Sequence, residues 1–274
     1  MNTARVFAPG VLARLIVAGL LALCVAGCQG ERKQDAAETF RVMTYNIHHG
    51  AGMDGKVDLE RIADLIKHEQ ADIVALQEVD KGVARTARRD CPAELAALTG
   101  MSCVFSNNFD YQGGEYGNAV LTRFPIKRWT NRHYKMLGPG EQRGLLQVVL
   151  EVQGRELVFL DTHLDARGDA AERLLSATEL AAGVRLYRGR PMILCGDFND
   201  TPGSRTHQKI AQTFADTWLV AGKGDGFTIP AEKPRKRIDY IWTSKEPAIQ
   251  ALKIWVPESE ASDHLPVVGE FKLR

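Results

Sequence analysis

Short hydrophobic runs recur along the whole chain, and most of them predict β-strands. Two of these runs, residues 73–76 and 157–160, contain only apolar side chains, as expected for strands that are covered on both faces. Turn-forming pairs such as Pro139-Gly140 and Pro202-Gly203 separate the runs. We therefore predict strands at residues 41–47, 72–79, 103–107, 119–124, 145–152, 157–164, 192–198, 238–243, 252–256 and 267–273.

A helical spacing of apolar residues is found in fewer segments, and it predicts helices at residues 58–69, 93–98 and 169–187. In the first of these, Asp58 is a candidate N-cap. Strands that outnumber helices, without regular alternation, favour packed sheets with helices outside over a doubly wound sheet. The pattern therefore predicts an α/β protein in which two sheets pack together.

The N-terminal segment has the pattern of an export signal. Arg5 and Arg14 precede an apolar stretch at residues 15–24 that is short for a membrane span. Small residues then lead into Cys28, and this resembles the bacterial lipobox, which implies cleavage before Cys28 and its acylation. We predict a lipoprotein signal peptide at 1–27, a flexible tether at 28–39 and a catalytic domain at 40–274. An ordinary secretory signal and an uncleaved anchor are the alternatives.

The residue after the cysteine predicts the destination of the lipoprotein. Gln29 stands where an inner-membrane retention signal would have an aspartate. We therefore expect an exported protein that is anchored in a membrane through Cys28, with the outer membrane or cell surface favoured.

Charge and cysteine content narrow the expected partners. The formal net charge is +1, so the chain lacks the global basic footprint of a protein that grips DNA through its phosphates. Nucleic acid is therefore a disfavoured partner, and a monomer is expected. Cys91 and Cys103 flank a predicted helix and strand in an exported chain, so a disulfide between them is an open alternative to two free thiols.

A series of polar residues lies at the ends of the apolar runs. Asparagine, carboxylate and imidazole side chains that strands deliver to one rim suit a hydrolytic metal site. The series contains Asn46, Glu78, His163, Asp197, Asn199, Asp239, Asp263 and His264.

Each member of this series has a candidate role from its chemistry. Glu78 is the expected main ligand of a hard cation such as Mg²⁺, or alternatively Mn²⁺, with Asn46 and Asp263 near the same ion. Asp197 is placed to accept a proton from water, and Asn199 to hold a phosphoryl oxygen. His264 is the candidate base or electrophile, Asp239 its orienting partner and His163 a donor to a phosphoryl oxygen.

Three further residues are candidates for substrate binding. Asn118 is either a phosphate contact or a turn-capping amide, and Arg85 and Arg143 are either phosphate clamps or surface charges. His48 and His49 are expected to border the site. The basic run at residues 233–237 is interpreted as a solvated hairpin, with contact to an anionic substrate as the alternative.

Seven segments together resemble the endonuclease/exonuclease/phosphatase superfamily, over nearly all of residues 40–274. They are TYNIHHG, LQEVD, YGNAVLTRFPI, THLD, GDFND, RIDYIW and SDHLPV. The resemblance implies a deoxyribonuclease-like four-layer α/β/β/α sandwich and the same division of roles, with Asn46, Glu78 and Asp263 at a Mg²⁺ site. It leaves open whether Asp197 or His264 is the base. His48 departs from the acidic residue that abasic-site enzymes have at this position.

These observations predict a divalent-metal-dependent phosphoester hydrolase in which water attacks phosphorus directly. A phosphodiester that is small or linked to a lipid is the favoured substrate, because the chain is expected to be tethered and is nearly neutral. The alternative is an exported non-specific endonuclease. A non-catalytic ligand-binding lipoprotein is disfavoured, because such a protein has no physical reason to keep the whole polar series.

Overall fold

The structure is a computed structural model, and it describes residues 39–247 and 249–274. The predicted signal peptide, the predicted acylation site Cys28 and all of the predicted tether except Thr39 lie outside these residues. Across the described part of the chain, no helix combines the length and apolar character needed to cross a bilayer.

The described residues form twelve strands and five helices, with short 3-10 turns between some of them. The strands are β1 Thr39–Asn46, β2 Ile73–Lys81, β3 Ser102–Tyr111, β4 Gly114–Thr122, β5 Ile126–His133, β6 Gly144–Val152, β7 Arg155–His163, β8 Met192–Asp197, β9 Phe214–Asp216, β10 Asp239–Ser244, β11 Ile249–Trp255 and β12 Val267–Leu273. The helices are α1 Leu59–His68, α2 Cys91–Thr99, α3 Ala171–Gly183, α4 Arg205–Ala211 and α5 Thr217–Ala221.

The strands make two six-stranded mixed sheets. The first has the order β11-β12-β1-β2-β4-β3 and the second the order β5-β6-β7-β8-β10-β9. Each sheet has one parallel pair, β1 with β2 in the first and β7 with β8 in the second. A helix connects the strands of each parallel pair, α1 in the first sheet and α3 in the second. Both parallel pairs are central, and Asn46, His163 and Asp197 lie at the carboxyl ends of their strands.

Three apolar layers hold the molecule together. The middle layer lies between the two sheets and contains Val42, Phe159 and Ile193. One outer layer joins the first sheet to α1 and α2, and the other joins the second sheet to α3. This arrangement confirms the predicted four-layer α/β/β/α sandwich.

Strand β1 has apolar side chains on both of its faces. Side chains alternate across a strand, so Phe40 and Val42 face the middle layer, whereas Met43 and Tyr45 face the helices. All four are at most 1% exposed. Full burial of an aliphatic or aromatic side chain contributes roughly 1.5–3 kcal/mol, so both faces of the strand stabilise the fold.

Helix α1 begins where the sequence predicts. The Asp58 carboxylate accepts hydrogen bonds from the backbone N–H groups of Glu60 and Arg61 at 3.0 and 3.3 Å. Ile62 and Ile66 on the buried face are fully covered. Truncation of either residue to alanine is expected to cost about 2–5 kcal/mol of unfolding free energy.

Several elements differ from the prediction. Strand β5 was not predicted, because it is a sheet edge with mostly exposed residues and no apolar alternation. Residues 108–115, for which the sequence predicted no strand, form the ends of the β3–β4 hairpin. Helices α4 and α5 are short and were also missed.

The basic run at residues 233–237 is not wholly solvated. Arg237 is buried, and its guanidinium donates two hydrogen bonds to Asp216 at 3.0 and 2.8 Å. The same guanidinium lies 4.6 Å from the centre of the Tyr240 ring. Arg237 therefore anchors β10 to β9, and only its neighbours Lys233, Arg235 and Lys236 are exposed.

The disulfide alternative is wrong for this structure. Cys91 and Cys103 are both free thiols, the first buried and the second half-buried. Burial raises the pKa of the Cys91 thiol to about 11 and that of Cys103 to about 12. Both thiols are therefore protonated and behave as small apolar side chains.

Candidate active site

The polar strand-end residues converge because the two central parallel pairs end at the same side of the molecule. In the second sheet, His163 pairs in register with Asp197, and Asp239 of the antiparallel β10 pairs with Asp197 from the other side. Asn46 ends β1 in the first sheet and reaches Asp197 across the sheet interface. A cleft of about 310 Å³ opens over this rim and is lined by Glu78, Arg85, Phe109, Tyr111, Tyr116, Glu141, Arg143, His163, Ala166, Asp197, Asn199 and His264.

A bulge in β2 directs Glu78 to the cleft. The register of β2 against β4 shifts between Leu76 and Val79, and Glu78 adopts a left-handed backbone with φ +60°. The preceding Gln77 is fully buried and donates a hydrogen bond to Asp161 at 2.7 Å. The extra residue lets Gln77 face the sheet interface while Glu78 lines the cleft, which explains why the strain is tolerated here.

Asn46 joins two carboxylates. Its side-chain amide donates to Glu78 Oε1 at 3.0 Å and to Asp197 Oδ2 at 3.1 Å. Its carbonyl oxygen accepts the backbone N–H of His48 at 3.0 Å, which holds the amide in this orientation. One neutral side chain thus holds carboxylates of both sheets at a common point.

His264 is the cationic member of the site. Its Nδ1 donates to Asp239 Oδ2 at 2.9 Å, and the Thr228 hydroxyl donates to the same oxygen. Burial alone would lower the pKa of His264, but the charge and hydrogen bond of Asp239, with the charges of Asp197 and Asp263, raise it to about 10. His264 is therefore protonated at neutral pH, with Nε2 at 3.8 Å from Asp197 Oδ2.

Asp197 is the buried carboxylate between the two histidines. Burial, and next the negative charge of Asp239, raise the pKa of Asp197 to about 7, against the opposing effect of His264. The backbone N–H of Asn199 donates to its Oδ1 at 2.8 Å. A carboxyl with this pKa exchanges protons near neutral pH, which suits a general base.

His163 has the opposite surroundings from His264. Nη1 of Arg143 lies 3.0 Å from Nδ1 of His163, and an arginine is always protonated, so Nδ1 accepts and the imidazole proton resides on Nε2. That Nε2–H faces Asp197 Oδ2 at 3.5 Å. Burial, then the positive charges of Arg143 and His264, hold the pKa of His163 well below its usual value. His163 is therefore a neutral donor.

Asn199 lies beside His163 rather than in open solvent. Its side-chain Nδ2 is 3.1 Å from both the Leu164 carbonyl oxygen and His163 Nε2. Because Nε2 carries the proton, the amide donates to Leu164. A left-handed backbone with φ +49° brings the Asn199 amide back toward the rim.

The remaining predicted residues lie at different depths. Asp263 lies near Asn46, with Ser262 between them. The Ser262 hydroxyl is 2.7 Å from the backbone carbonyl oxygen of Asn46 and 3.3 Å from Asp263 Oδ1. The Asp263 side chain is 45% exposed. The structure does not bring Asn118 into the cleft lining: it is buried and accepts a hydrogen bond from Asn108 at 2.8 Å. His48 approaches Asp263 at 3.8 Å, and His49 packs on His48 with ring centres 4.5 Å apart.

Both predicted arginine clamps are already engaged in ion pairs. Arg85 donates to both oxygens of Asp80 at 2.8 and 2.9 Å. Arg143 is 6% exposed and pairs with Glu141 at 2.6 Å as well as with His163. Both line the cleft, but as fixed charges rather than mobile clamps.

The aromatic lining of the cleft was not predicted. Phe109, Tyr111 and Tyr116 come from the part of the β3–β4 hairpin for which the sequence predicted no strand. Two of them stand at positions i and i+2, a spacing that places side chains on one face of a strand. This spacing is the sequence signal that could have identified the aromatic lining.

A divalent cation fits the donor set on the first-sheet side of the cleft. Glu78 supplies a carboxylate oxygen 3.0 Å from the Asn46 amide nitrogen, and Ser262 links Asp263 to the Asn46 backbone. Hard cations prefer such oxygen ligands. Asp197, Asp239 and His264 also bring donor atoms within 4.8 Å of one another. In that group the Nδ1 of His264 is engaged by Asp239, so only its Nε2 faces Asp197. The Glu78 side offers oxygen donors, which hard cations prefer.

Comparisons with known proteins agree with this fold. The model of the endonuclease/exonuclease/phosphatase family matches residues 43–264. The uncharacterized protein YbhP of Escherichia coli K12 is 30% identical over 251 residues, covering 86% of this chain and 97% of YbhP.

Solved structures show the same architecture. The endonuclease/exonuclease/phosphatase from Beutenbergia cavernae superposes with a TM-score of 0.73 at 28% identity, covering 86% of this chain and 72% of that one. The Bacteroides thetaiotaomicron mannosyl-6-phosphatase Bt3783 superposes with a TM-score of 0.71 at 20% identity, covering 85% and 99%, and this shows the shared fold. The chain therefore belongs to the endonuclease/exonuclease/phosphatase family, whose members hydrolyse phosphoesters with a divalent metal ion.

Proposed function

We propose that this protein is a Mg²⁺-dependent phosphodiesterase that acts by direct attack of water on a small or lipid-linked phosphodiester. The observation that carries the proposal is the Asn46 amide, which holds Glu78 and Asp197 at 3.0 and 3.1 Å. A carboxylate suited to a metal ion and a carboxyl suited to a base thus meet within one cleft.

The ion would be held by Glu78 and Asp263, with Asn46 in or beside its shell. Mg²⁺ is proposed because all of these donors are oxygens or an amide, and Mn²⁺ accepts the same donors. When bound, such an ion neutralises charge on the phosphoryl oxygens.

Asp197 is the proposed base. Its pKa of about 7 lets it take a proton from water, whereas His264 is already protonated at neutral pH. His264 then serves as a cationic donor to a phosphoryl or leaving-group oxygen, and Asp239 orients it through Nδ1. His163 donates from Nε2, and Arg143 holds it in that tautomer.

A covalent intermediate on an activated hydroxyl or thiol is not proposed. Among the described residues, the cleft lining includes no serine, threonine or cysteine. Hydrolysis in a single step is consistent with a base and an acid that face the same space.

Turnover by the purified protein tests this proposal. Plasmid DNA and bis(p-nitrophenyl) phosphate are incubated in parallel, with Mg²⁺ and with EDTA. We expect metal-dependent release of nitrophenolate with intact plasmid, and loss of that release in Asp197→Asn. Nicked plasmid whose yield falls steeply with salt would favour the endonuclease instead. No turnover of either substrate, nor of a phosphomonoester, would refute the hydrolase.

A further inference from the structure

One wall of the cleft is aromatic, and the proposed chemistry makes no use of it. Phe109 and Tyr111 of β3 and Tyr116 of β4 line the same cleft as Asp197 and His264. We call these three residues the aromatic wall. The ring centres of Phe109 and Tyr116 are 5.0 Å apart, and those of Phe109 and Tyr111 are 6.0 Å apart. The rings therefore form one contiguous surface.

The outer part of this wall has room for a ligand. Tyr116 is only 5% exposed and supports the other two rings, whereas Phe109 and Tyr111 are half-buried at the cleft. Planar groups gain about 1–3 kcal/mol per ring when they stack on such side chains. The wall thus offers an apolar, flat contact within the cleft that holds the polar rim.

Arg85 fixes the position and the electrostatics of the wall. Its guanidinium lies 4.9 Å from the Tyr111 ring centre and 5.5 Å from that of Tyr116. Asp80, whose side chain is fully buried, holds the guanidinium through two hydrogen bonds, so the cation cannot swing away. The rings are therefore backed by a fixed positive charge.

That charge selects among possible ligands. Bare aromatic rings attract ammonium groups, but here Arg85 already lies against the rings of Tyr111 and Tyr116 and repels a second cation. Choline and ethanolamine headgroups are consequently disfavoured. A neutral planar ring stacks without this penalty, and a neighbouring phosphate benefits from the guanidinium.

We propose that the aromatic wall selects phosphoesters that carry a neutral planar ring, a nucleobase or an aryl group. Phe109 and Tyr111 are the specificity residues, and Arg85 is the positioning residue that excludes cationic headgroups. This inference deepens the proposed phosphodiesterase and rests on it for the placement of the phosphate.

Phosphonates test the inference independently of turnover, because their carbon–phosphorus bond is not a phosphoester. Binding to the full-length protein with Mg²⁺ is measured by calorimetry for phenylphosphonate, an adenine-bearing alkylphosphonate, propylphosphonate and aminoethylphosphonate. We expect the two ring-bearing compounds to bind about tenfold more tightly than propylphosphonate. Aminoethylphosphonate should bind no better than propylphosphonate. The order of phenyl and adenine identifies which ring the wall prefers.

Substitutions localise the effect. Phe109→Leu and Tyr111→Leu keep apolar volume and should each reduce the preference for rings, whereas Tyr111→Phe should retain it. Trp129→Leu is the matched control, since Trp129 is 52% exposed on the edge strand β5 and does not line the cleft.

Equal binding of all four phosphonates would overturn the inference, as would a ring preference that survives in both leucine variants. Tighter binding of aminoethylphosphonate would overturn the exclusion of cations. Failure of the hydrolase itself would appear separately, as absence of turnover on every phosphoester with the ring preference intact.

Discussion

His163 and His264 have different charge states, because their surroundings keep His163 neutral and His264 protonated. Both rings are buried, and their Nε2 atoms lie 3.5 and 3.8 Å from the same Asp197 oxygen. His163 faces the guanidinium of Arg143, and its pKa is lowered. His264 faces the carboxylate of Asp239, and its pKa is raised. Burial lowers the pKa of both imidazoles, so the difference between them comes from the opposite charges of their partners.

The difference makes the cleft asymmetric. Asp197 has a neutral donor on one side and a cation on the other. A general base must be unprotonated at neutral pH if it is to accept a proton, and the leaving oxygen needs a proton donor. The two histidines supply different donors without competing with Asp197 for the role of base.

The largest change around the two histidines is expected from Asp239→Asn. This substitution removes the negative charge beside His264 and keeps the shape of the Asp239 side chain. The pKa of His264 should fall toward its ordinary value, and kcat/KM should fall by roughly 10²–10⁴. Histidine NMR titration and steady-state kinetics measure the two effects. Asp225→Asn, at an exposed loop position, is the control. Unchanged kinetics with an unshifted His264 would remove the proposed role of Asp239.

Acid pH should produce the next largest loss. The base requires ionised Asp197, whose pKa is about 7, so kcat/KM should fall about tenfold per pH unit below 7. Because Asp239 helps to raise the pKa of Asp197, the acidic decline in kcat/KM should move to lower pH in Asp239→Asn. A pH profile that is flat between 5 and 8 would contradict the assignment.

Unfolding free energy provides an independent check of the His264 ion pair. The folded-state pKa of His264, about 10, lies above the ordinary value of 6.5. Its contribution is therefore complete below pH 6.5 and is lost as pH rises toward 10. Denaturant unfolding between these values should show that decline in the wild type and a weaker one in Asp239→Asn.

A smaller effect is expected from Arg143→Gln, which removes the cation beside His163. The pKa of His163 should rise, because a positive charge is lost, and its tautomer should no longer be confined to Nε2–H. A hydrogen bond from a charged group contributes about 1.5–3 kcal/mol, so we expect at least a tenfold loss of kcat/KM. Nitrogen NMR of the imidazoles reports the tautomer.

Arg128→Gln is the control for that experiment. Arg128 lies on β5 and forms an exposed ion pair with Glu156 of β7. If Arg143→Gln left the His163 tautomer and the kinetics like those of the control, Arg143 would have no positioning role.

The smallest effect is expected from His48→Ala. This third histidine is 40% exposed and lies 3.8 Å from Asp263, whose side chain is itself 45% exposed. Exposed ion pairs contribute about 0–1 kcal/mol, so kcat/KM should change by no more than about threefold. A loss of a hundredfold in steady-state assays would instead show that His48 acts on the substrate.

Much of the fold is readable from the sequence because burial leaves a local pattern. Strands β1 and β7 are covered on both faces and appear as apolar runs, and α1 shows a helical spacing with its own cap. Strand β5 was not predicted from the sequence, because most of its residues face solvent. The Cys91–Cys103 disulfide was an open alternative, but sequence spacing carries no information on the distance between the two β-carbons.

The candidate site is readable as a set of residues but not as an arrangement. Asn46, His163 and Asp197 stand at the ends of apolar runs, so their convergence follows once the strands are known. Asn118 shows the same local signal, yet it is buried outside the cleft lining. A strand-end position shows that a polar side chain is near an edge, and it does not show which way the side chain faces.

The sequence by itself determined the strands, the family resemblance and the polar series, because each leaves its mark within a few neighbouring residues. Only the tertiary structure decided that Asn46 meets Asp197, which is 151 residues away. It likewise decided the charge states of the two histidines, the bulge at Glu78 and the aromatic wall. These depend on strand register and on which side chains meet through space, and a pKa responds to partners within a few ångströms wherever they lie in the chain.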